Sequence, residues 1–183
     1  QVSDGPSTSS YIVRYAASAA ASDPTTARFH TGISDASSAI ALDANHMWVA
    51  NDELIDDRDM LYLFDRDNSG RYTQAFDVTA DVNTAGSEMD LEASTRVGDT
   101  IYWLSSHSNN NSGECRPDRY RLFGTTVSGM SLTYAGRYDY LRDDLIAWDH
   151  NNVHGKGADY YGFTDSAACG DTGGIEPKRE DGF

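Results

Sequence analysis

Two stretches decide how this chain is read: DASSAIALDANHMWVANDE, residues 35–53, and DLEASTRVGDTIYWLSSHS, residues 90–108. Set one over the other, each opens with an aspartate, Asp35 or Asp90, and runs through small residues. Each then makes a short polar turn and enters a strand that contains aromatics. Each closes in a polar cluster, Asn51-Asp52-Glu53 or Ser105-Ser106-His107. After a variable loop, a third strand follows, MLYLFD (60–65) or RYRLFGTTV (119–127). A fourth comes after another turn, YTQAFDV (72–78) or LTYAGRYDY (132–140). These runs are short, rich in β-branched and aromatic residues, and bounded by Gly, Asp and Asn. The repeat is four antiparallel strands over roughly 55 residues, the pattern of a propeller blade with long loops.

Outward from these units, YIVRY (11–15) reads as a further strand, and the Ala-rich YAASAAASD (15–23) as a loop leaving it. The expected fold is all-β: a β-propeller with four-stranded blades, of which residues 1–183 form an N-terminal part of one domain. The alternative is a β-sandwich, which also yields short alternating strands. In a propeller the first strand of each blade lines the central channel. The small residues Ala36, Ser37, Ser38, Ala39, Ala93 and Ser94 suit that crowded axis.

The 183 residues carry 14 Lys and Arg against 29 Asp and Glu, a formal net charge of −15. Such a surface repels nucleic acid and anionic membrane and suits cations and neutral ligands. No apolar run approaches the ~20 residues that span a bilayer. The Ser/Thr/Asp/Tyr-rich, Lys-poor composition reads as that of a secreted, extracellular protein whose signal peptide has been removed. Cys115 and Cys169 lack the C-x-x-C spacing of a zinc site, so a disulfide is expected. Asn110-Asn111-Ser112 is a glycosylation sequon.

SDASSAIAL, VANDE, DLEASTRVGDTIYWLSSHS and RPDRYRLFGTTVS occur in order between Ser34 and Ser128, about half of the chain. With these motifs the sequence resembles the domain-of-unknown-function family 3616 of secreted bacterial and fungal proteins. That family is itself similar to propellers with esterase-like phytase activity. The resemblance implies a propeller and suggests a phosphoesterase. Ala93 stands where the wider group often has Gly. The family usually continues past KREDGF into a further blade, so a C-terminal half is expected beyond Phe183. Either a precursor is cleaved there and a second chain completes the ring, or the sequence is a truncated piece. Autoproteolysis that frees an N-terminal nucleophile is one form such cleavage takes.

Candidate chemistry gathers at the two ends of the 90–108 hairpin. On a regular strand Asp90 and Glu92 share a face. Two carboxylates so placed repel unless a cation or a proton sits between them. Ca²⁺ on Asp35, Asp90 and Glu92 is the expected metal site. The alternative use of Asp35 and Asp90 is to cap turns. DRDNSGR (65–71) lacks the twelfth-position Glu of an EF-hand and reads as a hairpin turn. Glu92, His107 and Ser105 are the expected catalytic groups, with Ser105 and His107 on one strand face. No G-x-S-x-G elbow accompanies them. Asp52 and Glu53, matching Ser106 and His107, are placed at the channel mouth. HNNVHGKGADYYGF (150–163) reads as a Gly-punctuated loop whose His154, Lys156 and Tyr160 contact substrate.

Together these readings give a secreted hydrolase acting at the channel mouth on an ester, phosphoester, amide or glycosidic bond. Its expected partners are a C-terminal chain of the same precursor and a small-molecule, glycan or peptide substrate. The alternative is a non-catalytic, calcium-stabilised propeller that binds glycans or peptides.

Overall fold

A computed structural model describes residues 28–84 and 86–170. The expected strand at 11–15, the Ala-rich run and Phe183 lie outside these residues. The chain runs through β1 (His30–Thr31), β2 (Ala36–Ala41), β3 (His46–Asn51), β4 (Met60–Asp65), β5 (Gly70–Arg71), β6 (Gln74–Asp77) and α1 (Thr79–Val82). It continues through β7 (Leu91–Val97), β8 (Thr100–Ser105), β9 (Leu122–Ser128), β10 (Ser131–Tyr138), α2 (Leu141–His150) and α3 (Phe163–Ser166). The described residues are mostly β. Two four-stranded antiparallel sheets, β2-β3-β4-β6 and β7-β8-β9-β10, each correspond to one unit of the sequence repeat. β1 and β5 form a small parallel pair.

HMWVAN and MLYLFD coincide with β3 and β4. The third strand of the second unit starts later than expected, at Leu122. Pro117–Arg119 form a 3-10 turn instead, because proline has no N–H for a sheet ladder and suits the first turn of a helix. The β7–β8 and β9–β10 hairpins close on two-residue turns led by Gly98 and Gly129, with φ of 61° and 60°. A glycine is the residue that holds this first position without steric cost.

The two units agree in detail. The Asp52 N–H donates to the Asp35 carbonyl at 3.0 Å, as the Ser106 N–H does to that of Asp90 at 2.8 Å. Both leading strands are irregular at the same place, between Ala36 and Ser38 and between Leu91 and Ala93. Laid letter over letter, Trp48 falls on Trp103. The second hairpin turn is one residue shorter, however, so register matches Trp48 to Tyr102 and Val49 to Trp103.

That shift determines how the sheets stack. Trp48, Ala50, Leu61 and Leu63 on one face of the first sheet share a core with Leu91, Ile101, Trp103 and Phe123 of the second. Each fully buried Leu, Ile or Phe among them stabilises the fold by about 1.5–3 kcal/mol. Arg96 crosses the seam to the carbonyl of Leu42 at 2.7 Å, and the Ser38 and Ser94 hydroxyls meet at 2.6 Å. The opposite face of the first sheet, with Val49, Tyr62 and Phe64, is covered by Ile33, Ile55 and Tyr72. The sheets therefore stack head to tail, the Trp48 face of one on the Trp103 face of the next.

The remaining face of the second sheet follows from its register. Its cross-strand rows are Ala93-Leu104-Leu122-Tyr138, Thr95-Tyr102-Gly124-Gly136 and Val97-Thr100-Thr126-Thr133. None of these side chains is charged. Tyr102 and Tyr138 are 41% and 42% exposed.

Buried Asp59 joins the two units. Its N–H donates to Thr79 Oγ1 at 2.9 Å, and its carboxylate accepts the Met89 N–H at 3.1 Å and the Thr84 hydroxyl. This fixes the segment that delivers Asp90 to the start of β7. Burial raises the Asp59 pKa, against the pull of those two donors.

α2 was not anticipated from the sequence. Its Leu141, Leu145 and Trp148 do recur at the i, i+4, i+7 spacing of a helix face, a signal confined to one ten-residue run in a sequence otherwise dominated by strand patterns. The excursion after it is tied back by the expected Cys115–Cys169 disulfide. Gly170 N–H to Gly113 O at 2.9 Å and Asn109 Nδ2 to Ala168 O at 2.8 Å support the same junction. Replacing both cysteines with serine is expected to cost about 2–4 kcal/mol in urea unfolding. Amide exchange at 163–170 should speed up most. Unchanged stability would mean that the hydrogen bonds alone hold the excursion.

Candidate functional site

The ends of β3 and β8 and the starts of β2 and β7 meet at one edge of the paired sheets. Asp52, Asp90 and Glu92 converge there, each offering an oxygen within 4.8 Å of the others. The route to this geometry differs from a regular strand. Asp90 precedes β7 with a φ of 60°, in the left-handed region that Asp tolerates better than most residues. Glu92 sits in the β7 irregularity, where an extra residue re-aims a side chain. The bend, rather than strand alternation, points both carboxylates toward Asp52.

Arg119, 7% exposed in its side chain, lies under the cluster. Its Nη1 is 2.8 Å from Asp90 Oδ2 and its Nη2 2.8 Å from Glu88 Oε2. The Asp90 carboxylate also accepts the Ser106 hydroxyl at 2.5 Å. Among the described residues, these contacts leave Asp52 and Glu92 without a paired cation. Burial, then Asp35, Asp90 and Glu88, push the Asp52 carboxyl above its usual range. Burial, then Asp90 and Asp52, do the same to Glu92 against the opposing pull of Arg119. Exposed Glu53 is raised first by Glu88. Asp52 Oδ1 is buried without a hydrogen-bond partner among the described residues. Asp35 acts on this group through its charge and is outside the converging set.

Ca²⁺ fits this donor set. Calcium–oxygen distances of about 2.3–2.6 Å let ligands on opposite sides of one ion stand about 5 Å apart. Mg²⁺, at about 2.0–2.1 Å, would require the carboxylates to draw together.

Ser105 and His107 are not joined to this group or to each other as a dyad. Ser105 Oγ bonds the carbonyls of Arg119 and Arg121, the latter at 3.0 Å, and accepts the Arg121 N–H at 2.9 Å. His107, φ 56°, donates Nδ1–H to the Ser105 carbonyl at 2.9 Å. The residue is 5% exposed, and its ring stacks on Tyr120 with centroids 6.1 Å apart. Nε2 has no partner among the described residues. Burial first, then the Arg142 and Arg121 charges, lower its pKa, against the Ser105 carbonyl. The charges acting on Glu92 are Asp90, Asp52 and Arg119, so His107 and Glu92 occupy separate electrostatic surroundings.

His154, Lys156 and Tyr160 belong to the excursion after α2. Fully buried Asp149 accepts His154 Nε2–H at 3.0 Å and the N–H groups of Tyr161 and Phe163 at 3.0 and 3.2 Å. Burial raises the Asp149 pKa, but these donors outweigh it and leave it lowered. His154 Nδ1 accepts the Lys156 N–H at 3.2 Å, so both ring nitrogens are engaged in holding the loop. Lys156 Nζ lies 5.2 Å from the Tyr160 ring centre and 5.4 Å from that of Tyr161. Arg119 makes the buried ion pairs with acids that the arginines of CRPDRYRLF (115–123) lead one to expect, though nothing local marks Glu88 and Asp90 as its partners. Asp149 carries no such signal, since it holds the loop largely through backbone N–H groups.

No helix among the described residues is long and apolar enough to cross a membrane. Compared with known family models, curated proteins and solved structures, the chain matches none.

Two outcomes follow from this geometry. Arg119→Met strands Glu88 and Asp90 beneath the carboxylate cluster and should cost about 3–5 kcal/mol of unfolding free energy. For His107, an unfolded imidazole protonates near pH ~6.5 and the folded one only below that. The unfolded state therefore binds more protons in that window, and stability falls as pH drops through it. His107→Asn keeps a residue tolerant of positive φ and should remove this contribution, seen as a flatter thermal midpoint between pH 7 and 5.

Proposed function

We propose that this chain forms part of a secreted β-propeller whose channel mouth binds Ca²⁺ on Asp52, Asp90 and Glu92, and that the assembled protein is a hydrolase working there. The observation that carries this reading is the convergence of those three carboxylates within 4.8 Å, with Asp52 Oδ1 buried and unpartnered. Head-to-tail stacking of two matched four-stranded sheets supports the propeller. It is how blades related by rotation about one axis meet. The resemblance to family 3616 points the same way and suggests an ester or phosphoester substrate. A bound calcium ion would polarise a substrate oxygen and favour ionisation of water. Asp52, Asp90 and Glu92 would hold it, and Arg119 would keep Asp90 in place. The net charge of −15 disfavours bare polyanions, so small, glycan or peptide substrates fit better. A C-terminal chain of the same precursor is the partner that would complete the ring.

A second reading, a calcium-stabilised module that binds glycans or peptides without turnover, is favoured by the engagement of the Ser105 hydroxyl with backbone groups.

Calorimetric titration with CaCl₂ tests the shared premise. Binding is expected, weakened at least about tenfold, or 1.4 kcal/mol, in Glu92→Gln. Asp52, Glu53 and Glu92 hold protons more strongly than ordinary carboxylates. Affinity should therefore fall as pH drops toward the carboxylate range, with protons released on binding at the lower end. No heat, or equal affinity in Glu92→Gln, would remove the calcium site. Calcium-dependent cleavage of chromogenic esters or phosphoesters by the assembled protein separates the two readings.

A further inference from the structure

We propose that the exposed face of the second sheet, centred on Tyr102, Leu104, Leu122 and Gly124, is the seat of a third four-stranded unit. The inference rests on the ring reading above and gives it a surface and an occupant. Three observations carry it.

The first is composition. The cross-strand rows of this face contain no charged side chain, in a chain that is 23% charged with a net charge of −15. A sheet face left to water alternates with polar and charged residues. A face built of Ala, Val, Leu, Tyr, Thr and Gly is one that another surface covers.

The second is register. Tyr102 and Leu104 occupy the positions of Trp48 and Ala50, and Leu122 that of Leu61. In the first sheet those residues are buried against the next sheet. The established seam joins a Trp48-type face to a Trp103-type face. Such a contact is heterologous: it leaves the same unsatisfied surface on the last member, ready for one more of the same kind. What fits on Tyr102 is thus a sheet presenting the equivalent of Ile101, Trp103 and Phe123.

The third is relief. Gly124 and Gly136 face each other across β9 and β10 beside Tyr102. They open a groove walled by Thr100, Leu122 and Tyr138, with Arg137 also in its lining. A Cβ on Gly124 would meet Thr100 Cγ2 at 3.5 Å and Ala135 Cβ at 3.8 Å, which is ordinary contact. Nothing among the described residues therefore demands glycine at Gly124, and the hollow suits a large side chain inserted from outside.

A second copy of this chain is the poorer occupant. Its Trp103-type faces are taken. One is buried in the shared core, and the other, with Val49, Tyr62 and Phe64, is covered by Ile33, Ile55 and Tyr72.

The test is hydroxyl-radical footprinting of the protein isolated from its source, against the 183-residue chain alone. Oxidation of Tyr102 and Tyr138 should fall at least about fivefold in the native material, with Tyr160 unchanged as the exposed reference. A photoreactive phenylalanine at position 102, expressed from the natural coding sequence, then identifies the cover. Cross-linking to a strand outside residues 1–183, within a four-stranded repeat, is the expected result. Cross-links to β3 of a second copy, or to residues 1–27 or 171–183, would overturn the proposal. So would equal oxidation in the two samples. Tyr102→Lys should leave the melting of the lone chain unchanged and abolish the protection. These readouts do not involve calcium, so the seat and the cation site can fail separately.

Discussion

Arg119 sets the terms for everything at the edge where the carboxylates gather. One guanidinium holds Glu88 and Asp90 on separate nitrogens, both at 2.8 Å. Three acids from two sheets could not crowd together without some such anchor. The anchor is itself positioned by backbone. Pro117–Arg119 form the 3-10 turn, and the Arg119 carbonyl takes both the His107 N–H and the Ser105 hydroxyl. A break in the expected third strand is thus what brings a cation under the carboxylates. Its direct pairs are with Glu88 and Asp90, and its pull on Glu92 is too weak to offset burial and the neighbouring acids.

The two sheets repeat a scheme while differing in side chains. Both open at an aspartate, both bulge one residue in, and both close the hairpin with the same backbone bond. The bulge is kept while its residue changes from Ser37 to Glu92. Conserving a backbone device while varying the group it presents gives each unit its own contribution to a common edge. The first supplies Asp52 and the second supplies Asp90 and Glu92.

Much of the fold was legible because strand periodicity and turn residues are local. β3, β4 and the two glycine-led hairpins could be placed from the letters alone. The seam was not, because it depends on a turn one residue shorter in the second unit, which moves Trp103 to the opposite face from Trp48. For the site, the letters identified Asp52, Asp90 and Glu92 as acids at a hairpin end, but strand alternation was the wrong reason. The left-handed Asp90 and the bulge at Glu92 bring them together. His107 was read as poised chemistry because it follows two serines. Its burial against Tyr120 comes from residues beyond the hairpin and from the α2 excursion. That excursion was opaque because Asp149 organises it largely through backbone N–H groups, which no side-chain pattern records.

The Cys115–Cys169 bond spans 54 residues, enclosing β9, β10, α2 and α3. A protease that cut the exposed loop around Lys156 would therefore release nothing. The two pieces would remain one covalent molecule, with the mass of intact chain plus a water, until a reductant was added. A nicked and an uncut population would run together on a non-reducing gel, and any history of cleavage within that loop would stay hidden from it.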